Sequence, residues 1–377
     1  MKFELTNLLT IAKRDNNTIR PYLFVNPLQG KHIPADPKMS LQLFKILAQK
    51  VEQRYQGERL LAIGFAETAT AIGAAVAWYA ENVAYYMTTT REDIAGAEYL
   101  HFTESHSHAT DQRLIANGLE DCLETIDRIV FAEDEVTTGS TIEKCINELR
   151  RRFPASAKRF GIASLLNSMS DQRLSYFSEQ DIHCDYLYHI DRETMSWGFD
   201  ENQWVEPHKS VKGAVEIVPT RMTYGNGWDE RFVTPKAQFK DKIDTLMKVA
   251  ILDLALTAAQ RKILILGTEE FMFPAMFLGM RIEELHPDAT VRFHATSRSP
   301  IMVSEDVNYP LHTRSELESL YEKGRKTNVY NLCKYDLVII VTDACEINEE
   351  GLQTLLHAIC EHGNKNCILI RWRNDVP

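Results

Sequence analysis

Several common functional motifs are missing from this sequence. No Gly-x-Gly-x-x-Gly follows a predicted strand and no Walker-type phosphate loop occurs, which disfavours a dinucleotide oxidoreductase and a nucleotide triphosphatase. The seven cysteines form no Cys-x-x-Cys pair, so we expect reduced thiols of a cytoplasmic protein. No apolar run approaches the roughly 20 residues that span a bilayer, and the N-terminus lacks the pattern of a signal peptide.

Basic residues are also fewer than acidic residues. The 377 residues include 42 Lys and Arg against 53 Asp and Glu, a net charge of -11. This balance disfavours general nucleic-acid binding, because an acidic surface repels a polyanion, and no basic-aromatic run points to single-stranded RNA. A small anionic ligand remains compatible with the composition, since a helix N-terminus and a few arginines can bind phosphate locally.

Short apolar runs alternate with helical patterns along most of the chain. This alternation predicts an α/β fold with mainly parallel sheets. The expected strands are 60–65, 83–87, 129–132, 161–166, 184–190, 262–266, 291–294, 337–341 and 367–371.

The alternation stops in two places. A polar, aperiodic stretch covers 88–113, and a connector rich in tryptophan, proline and glycine covers about 191–235. Strands and helices resume after the connector. We therefore predict a first domain over 1–235 that includes this connector, and a second, smaller Rossmann-like α/β domain over 236–377.

The strongest chemical signal lies at 129–141. A buried strand is followed by two adjacent carboxylates, Glu133 and Asp134, and by a polar turn that opens a predicted helix. The turn residues are Thr137, Thr138, Gly139, Ser140 and Thr141. Ligands of open α/β sheets bind at the carboxyl ends of strands, and a helix N-terminus attracts anions.

This pattern predicts the position of each part of a sugar phosphate. We expect a phosphate in the turn, where Gly139 lets the backbone approach it closely. Ribose hydroxyls or a hydrated Mg²⁺ suit Glu133 and Asp134. An N-capped helix after an ordinary buried strand is the alternative interpretation.

The segment resembles the phosphoribosyl-pyrophosphate signature of type I phosphoribosyltransferases, in which two acidic residues and two further residues precede Thr-Thr-Gly-x-Thr. The resemblance is closest to orotate-type enzymes. It implies a parallel Rossmann-like sheet with a flexible loop and a hood. It also implies a Mg²⁺-dependent enzyme in which Glu133 and Asp134 are catalytic and contact the metal indirectly, while 137–141 bind the 5-phosphate.

The same resemblance implies two loops around the pyrophosphate. A short loop after the first strand would consist of Ala66, Glu67, Thr68 and Ala69. A mobile loop over about 103–113 would begin beyond Arg91, and His106, His108 and Arg113 are candidates for its closing part. This sequence lacks the lysines usual in that loop. A solvated surface loop, or a metal site at the His-x-His pair, is the alternative.

A further resemblance comes from Thr296-Ser297-Arg298-Ser299-Pro300, which is similar to the motif of the TRSP domain with one serine inserted. It implies a two-domain phosphoribosyltransferase of tellurite-resistance and stress gene clusters that helps to make a nucleoside-like metabolite. In the second domain, Thr268, Glu269, Arg298 and Ser299 are candidates for binding an anion or a ribose. A salt-bridged turn is the alternative.

Lys31 and His32 lie in a turn-rich N-terminal segment. They are candidates for contacts to the pyrophosphate or the base, and a plain surface turn is the alternative. The sequence as a whole predicts a phosphoribosyltransferase that acts on phosphoribosyl pyrophosphate and an unidentified base, as a homodimer without a membrane partner. A non-catalytic nucleotide sensor is the alternative function.

Overall fold

The computed structural model describes residues 3–15, 17, 21–102, 112–154, 158–191, 199, 203–209, 217–225 and 228–372. The contacts divide the chain into two compact units. Unit 1 comprises Met1–Leu41, Gly198–Trp228 and Lys242–Pro377, and unit 2 comprises Gln42–Trp197 and Asp229–Asp241.

The secondary structure alternates as the apolar runs predict. The helices are α1 (Leu5–Leu8), α2 (Pro37–Arg54), α3 (Thr70–Tyr79), α4 (Leu119–Thr125), α5 (Ser140–Arg152), α6 (Asp171–Glu179), α7 (Lys236–Leu254), α8 (Phe273–Leu285) and α9 (Glu349–Glu361). The strands are β1 (Thr10–Lys13), β2 (Tyr22–Val25), β3 (Leu60–Gly64), β4 (Val83–Thr88), β5 (Tyr99–Phe102), β6 (Gln112–Ile115), β7 (Arg128–Val136), β8 (Arg159–Asn167), β9 (His183–His189), β10 (Trp204–Val205), β11 (His208–Lys209), β12 (Thr220–Tyr224), β13 (Thr234–Pro235), β14 (Lys262–Gly267), β15 (Thr290–Ala295), β16 (Val303–Ser304), β17 (Arg314–Glu318), β18 (Lys326–Tyr330), β19 (Leu337–Thr342) and β20 (Cys367–Trp372).

Unit 2 is built on a six-stranded sheet in the order β13-β4-β3-β7-β8-β9. All neighbouring pairs are parallel except β13 with β4. The chain places β4 on one side of β3 and then adds β7, β8 and β9 on the other side. The order therefore reverses between β3 and β7, which makes this crevice the topological switch point of the sheet.

The centre of this sheet is apolar because helices cover both faces of a parallel sheet. Every residue of β3 is buried, and so are the first five residues of β7. Gly64 and Gly73 bring β3 and α3 together, since a Cβ on Gly73 would lie 2.5 Å from the Gly64 Cα. The close packing fixes where the loop between β3 and α3 leaves the sheet.

Unit 1 contains a second parallel sheet, in the order β12-β20-β19-β14-β15. Its core includes Leu264, Ile340 and Leu369 from three adjacent strands and Leu355 from α9. Small antiparallel pairs accompany it, β1 with β2, β10 with β16, and β17 with β18. The prediction of an α/β fold with mainly parallel sheets and a second α/β domain is confirmed.

The structure adds elements that the sequence patterns did not predict. Part of the polar stretch at 88–113 forms the antiparallel pair β5–β6, and the connector contributes β12 to the second sheet. The N-terminal 41 residues group with the second sheet, whereas the sequence analysis assigned them to the first domain. The predicted boundary at 235/236 stays a prediction. Within the described part of the chain, no helix is both long and apolar enough to cross a membrane.

Candidate functional site

The carboxyl ends of three neighbouring strands, β4, β3 and β7, bring the predicted site residues of unit 2 to one edge of the sheet. β3 and β7 pair in register up to Gly64 opposite Ala132, and the Phe65 N–H donates to the Ala132 carbonyl at 3.0 Å. Residues 66–69 and 137–141 follow these two strands and thus flank the switch point. Ligands of open α/β sheets bind in such a crevice.

Glu133 and Asp134 lie inside β7 rather than after it. The predicted strand end at 132 is wrong, because β7 continues to Val136 and Glu133 pairs in register with Ser164 on β8. This pairing comes from a strand distant in sequence, which local charge does not reveal. Both acidic residues are partly exposed and so remain accessible to a ligand.

The acid pair offers only carboxylate oxygens. Carboxylates are the protein donors that Mg²⁺ prefers, and Mg²⁺ usually completes its coordination with substrate phosphates and water. Among the described residues, no group of three or more His, Cys, Asp and Glu side chains could hold a metal ion. Two carboxylates fit a Mg²⁺ ion whose other ligands are substrate phosphates and water.

The turn over 137–141 leads directly into α5. Thr138 Oγ1 donates to Ser140 Oγ at 3.0 Å, and the Ser140 N–H lies 3.3 Å from Thr138 Oγ1. The first N–H groups of a helix have no acceptor within the helix and carry partial positive charge. The turn consequently has the chemistry of an anion site.

The backbone angle and the close packing at position 139 both require glycine. Its φ of +68° lies in the left-handed region, and a Cβ there would be 2.6 Å from Phe177 Cε2 and 3.4 Å from Met169 Sδ. The absent side chain makes room for packing within the protein, and the close approach of a phosphate to this backbone stays a prediction. The turn backbone at Gly139 stays a candidate phosphate contact.

Arg173, which the sequence analysis did not single out, fixes this turn. Its Nε donates to the Thr138 carbonyl at 2.7 Å, and its guanidinium pairs with Glu143 in the first turn of α5. Burial raises the pKa of Glu143, but hydrogen bonds from Tyr176 and Arg173 outweigh it and hold that pKa below its usual value. Arg173 and Thr138 are 35 residues apart, and no local sequence pattern links them.

The loop after β3 is more buried than its small polar residues suggested. Of residues 66–69, only Thr68 is partly exposed. The Ala66 N–H donates to Thr89 Oγ1 at 2.8 Å, and the Gln112 side-chain amide donates to the Ala66 carbonyl. The peptide bond that follows Ala66 is cis.

Ala69 is also bound within the protein, because its N–H donates to the Phe65 carbonyl at 3.0 Å. The backbone N–H groups of Ala66 and Ala69, two of the four in this loop, therefore bond within the protein. Glu67 is 8% exposed, and its carboxylate brings negative charge to this loop. Thr68 is therefore the residue of the predicted pyrophosphate loop whose side chain is partly exposed.

Arg91 lies just beyond the end of β4, beside the loop after β3. Its carbonyl accepts a hydrogen bond from Arg113 at 2.8 Å. Arg113 also forms an ion pair with Asp93 and lies over the Tyr99 ring at 4.5 Å. Arg113 on β6 is thus bound to neighbouring residues, while its predicted role in the closing loop stays a prediction. The proposed catalytic role of Arg91 also stays a prediction.

His106 and His108 belong to residues 103–111, which lie outside the described residues. Their proposed roles in the closing loop, and the alternative metal site, stay predictions.

In unit 1, the structure brings the second-domain candidates together. Arg298 Nε donates to Glu269 Oε2 at 2.9 Å, and Lys31 Nζ donates to the Glu269 carbonyl at 2.6 Å. Thr268 precedes Glu269 at the end of β14, and the Ser299 carbonyl accepts from Tyr330 at 2.5 Å. Lys31 is 1% exposed and His32 is 6% exposed, so the interpretation of their segment as a surface turn is wrong.

Two family models match the chain in succession. Residues 8–191 match the family described as "Phosphoribosyl transferase", and residues 230–359 match the "TRSP domain C terminus to PRTase_2". The chain belongs to the phosphoribosyltransferases that carry a C-terminal TRSP domain. The resemblance stated from the sequence is confirmed at this level, while the orotate-like subtype stays a prediction.

Solved structures resemble about half of this phosphoribosyltransferase chain. Adenine phosphoribosyltransferase from Rhodothermus marinus is 13% identical with a TM-score of 0.34, over 49% of this chain and 96% of its own. The enzyme from Trypanosoma brucei, in complex with AMP, pyrophosphate and ribose-5-phosphate, is 10% identical with a TM-score of 0.34, over 52% and 82%. An APRTase from Giardia lamblia, complexed with 9-deazaadenine, is 8% identical with a TM-score of 0.33, over 49% and 95%. No curated protein is significantly similar to the chain.

Proposed function

We propose that the phosphoribosyltransferase domain uses phosphoribosyl pyrophosphate and Mg²⁺ to form an N-ribosidic bond to a base-like acceptor, or cleaves that bond with pyrophosphate. The supporting observation is the switch point between β3 and β7. It unites the acid pair of β7 with the turn that opens α5. The carboxylates supply hydrogen-bond acceptors for the hydroxyls of a ribose phosphate, and the turn supplies N–H donors for its phosphate.

The 5-phosphate is proposed to bind in the turn over 137–141. Several N–H groups and hydroxyls converge there at a helix N-terminus, where a dianion is stabilised by the helix dipole. Arg173 is a positioning residue in this account, because it contacts the Thr138 carbonyl and Glu143 rather than the ligand.

Glu133 and Asp134 are proposed to accept hydrogen bonds from the ribose hydroxyls and, through water, to orient Mg²⁺. When bound, Mg²⁺ neutralises charge on the departing pyrophosphate. The two carboxylates also stabilise the positive charge that develops on the ribose ring as substitution proceeds. Thr68 and Arg91 lie at the neighbouring strand ends, where the pyrophosphate is proposed to bind.

The proposed reaction exchanges one bond at ribose C1 for another. A nitrogen of the acceptor bonds to C1, and the bond from C1 to the pyrophosphate oxygen breaks with its electrons leaving on pyrophosphate. A proton on that nitrogen passes to solvent. The domain therefore contributes positioning and charge stabilisation, and the predicted loop at 103–113 would exclude water from the reacting ribose.

Further aspects of this proposal depend on the family resemblance. They are a role in making a nucleoside-like metabolite linked to tellurite resistance or stress, and a homodimer.

The test is pyrophosphate release by the full chain with phosphoribosyl pyrophosphate, Mg²⁺ and a panel of purine, pyrimidine and related heterocyclic bases. Acceptor-dependent release above the rate of hydrolysis without acceptor supports the transferase. Saturable binding of phosphoribosyl pyrophosphate in calorimetry, with no release for any acceptor, overturns it and favours the sensor.

A further inference from the structure

Buried side chains hold the backbone of Ala66 on both sides. Its N–H donates to Thr89 Oγ1 at 2.8 Å, and its carbonyl accepts from the side-chain amide of Gln112. The Thr89 hydroxyl donates in turn to Gln112 Oε1 at 2.6 Å. The three residues therefore close a ring of hydrogen bonds at the start of the predicted pyrophosphate loop.

Ala66 needs these partners because it lies beyond the strand ladder. β3 ends at Gly64, and the Phe65 N–H makes the bond to the Ala132 carbonyl of the neighbouring strand. Buried backbone groups that leave a sheet must find other partners. Ala66 is 4% exposed, and side chains 23 and 46 residues further along the chain supply those partners.

Backbone hydrogen bonds fix Thr89 and Gln112 in their turn. The Thr89 N–H donates to the Gly64 carbonyl at 2.9 Å, and Thr90 exchanges two backbone bonds with Arg113, at 2.8 and 3.0 Å. Thr89 is 0% exposed and Gln112 is 1% exposed. A buried polar network whose members are all hydrogen-bonded is rigid and specifies one arrangement.

Position 112 uses both halves of a carboxamide. The oxygen of Gln112 accepts from Thr89, and its nitrogen donates to the Ala66 carbonyl. A carboxylate has only acceptors and an aliphatic side chain has neither group, whereas a protonated carboxyl group has one donor and one acceptor. The ring therefore distinguishes an amide from a carboxylate of nearly the same shape.

The ring joins the two segments that carry the proposed pyrophosphate contacts. Thr68 follows Ala66 by two residues, and Arg91 follows Thr89 by two residues. A shift of Ala66 against Thr89 would change the spacing between these contacts. Affinity and rate both depend on holding such groups in the productive geometry.

We propose that Gln112 is a positioning residue of the pyrophosphate site, in a role that rests on the function proposed above. It acts through Ala66 and Thr89 rather than by contact with the ligand. Binding of pyrophosphate thus depends on β6 as well as on the ends of β3 and β4. Binding of the 5-phosphate in the turn over 137–141 does not depend on Gln112.

The test compares two ligands by calorimetry with the full chain at pH 8.5. Phosphoribosyl pyrophosphate with Mg²⁺ engages both parts of the site, whereas ribose 5-phosphate lacks the pyrophosphate. Gln112→Glu should weaken phosphoribosyl pyrophosphate about tenfold or more and change ribose 5-phosphate less than about twofold, because an unpaired buried carbonyl then faces a carboxylate. Gln49→Glu is the matched control, since Gln49 is exposed on α2 and should alter neither affinity.

The pH dependence separates positioning from packing. Burial raises the pKa of a carboxyl group, so the group introduced by Gln112→Glu should gain a proton between pH 8.5 and pH 5.5 and restore both bonds of the ring. The affinity for phosphoribosyl pyrophosphate, as a ratio to the unaltered protein at the same pH, should then rise towards one. Gln112→Leu can restore neither bond, so its ratio should stay low at every pH.

A second pair of variants introduces no charge. Thr89→Val keeps the shape of the side chain but removes the hydroxyl, and it should weaken phosphoribosyl pyrophosphate about tenfold with ribose 5-phosphate little changed. Thr89→Ser keeps the hydroxyl and should recover most of the affinity. This pair decides the question if thermal melts show that Gln112→Glu is unfolded.

The proposal is overturned if folded variants at Gln112 and Thr89 bind phosphoribosyl pyrophosphate normally, or if they weaken both ligands equally. A ratio for Gln112→Glu that does not change with pH also overturns it. Failure of the transferase reaction gives a different result, because a chain that binds both ligands and transfers to no acceptor still shows the selective loss. An unaltered protein that binds neither ligand would overturn both proposals.

Discussion

At the scale of residues, the site of the phosphoribosyltransferase domain separates two kinds of charge. The carboxylates of Glu133 and Asp134 lie on β7, and the positive end of α5 begins only a few residues later. A ribose phosphate has hydroxyls at one end and a dianion at the other. Substitutions on the two sides should therefore weaken binding of different parts of the ligand.

Asp134→Asn should weaken binding of phosphoribosyl pyrophosphate with Mg²⁺ and slow turnover. Loss of a charged hydrogen-bond acceptor costs on the order of 1.5–3 kcal/mol, so calorimetry should show a tenfold or larger loss of affinity. Asp121→Asn is the matched control, since Asp121 is exposed on α4, which precedes β7 at the opposite edge of the sheet. Equal affinity of the two variants would place the ribose elsewhere.

Gly139→Ala should destabilise the protein more than Gly96→Ala does. Both glycines have positive φ, +68° and +75°, for which an L-residue costs about 1–2 kcal/mol. Only at Gly139 would the new Cβ also meet a side chain, Phe177 at 2.6 Å, and overpacking adds about 1–3 kcal/mol. Thermal melts measure the difference, and equal melting temperatures would show that Phe177 can move aside.

At the scale of elements, α6 holds the turn over 137–141 in place. Arg173 contacts the Thr138 carbonyl and pairs with Glu143, so one side chain joins α6, the turn and α5. It also lies over the Phe177 ring at 4.7 Å, which packs beneath Gly139. The binding geometry of the turn thus depends on a helix that follows it by some 30 residues.

Arg173→Met should lower the affinity for ribose 5-phosphate at the unit 2 site without removing any group proposed to touch the ligand. The loss should be about 1–2 kcal/mol, because one charge-assisted hydrogen bond and one ion pair disappear. Arg151→Met is the control, since Arg151 pairs with Glu148 on the exposed side of α5. An equal effect of the two variants in calorimetry would mean that the turn is ordered without Arg173.

At the scale of the whole molecule, two buried histidines make the stability of unit 1 depend on pH. Burial, with the charge of Lys31, lowers the pKa of His32 to about 3, and burial lowers the pKa of His294 to about 4. The pKa of a histidine in the unfolded chain is about 6.5. Between these values the unfolded chain binds protons that the folded chain does not, so the free energy of unfolding falls as pH decreases from 6.5 towards 4.

The expected slope is up to about 1.4 kcal/mol per pH unit for each histidine. Urea unfolding at pH 7 and pH 5 measures it. His32→Phe should lose less stability over this interval than the unaltered protein, because one of the two proton-linked groups is gone. Identical losses would mean that His32 is solvated in the folded state.

The sequence alone determined the fold class, the order of most strands and helices, and the position of the Thr-Thr-Gly turn before α5. Strands such as β3 and β14 are continuous apolar runs because both faces of a parallel sheet are covered, and helices such as α5 follow recognisable turns. The acid pair and the Thr-Thr-Gly turn are adjacent in the chain. The sequence alone therefore reveals which chemical groups these two motifs bring together.

Only the tertiary structure decided which distant residues support these motifs. It extended β7 beyond Glu133, assigned Gly139 to packing against Phe177, and placed Arg173 on the Thr138 carbonyl. It also buried Lys31 beside Glu269, 238 residues away. The physical reason is that strand pairing, burial of charge and contacts between elements depend on three-dimensional neighbours, whereas hydrophobic periodicity and turn chemistry depend on neighbours in the chain.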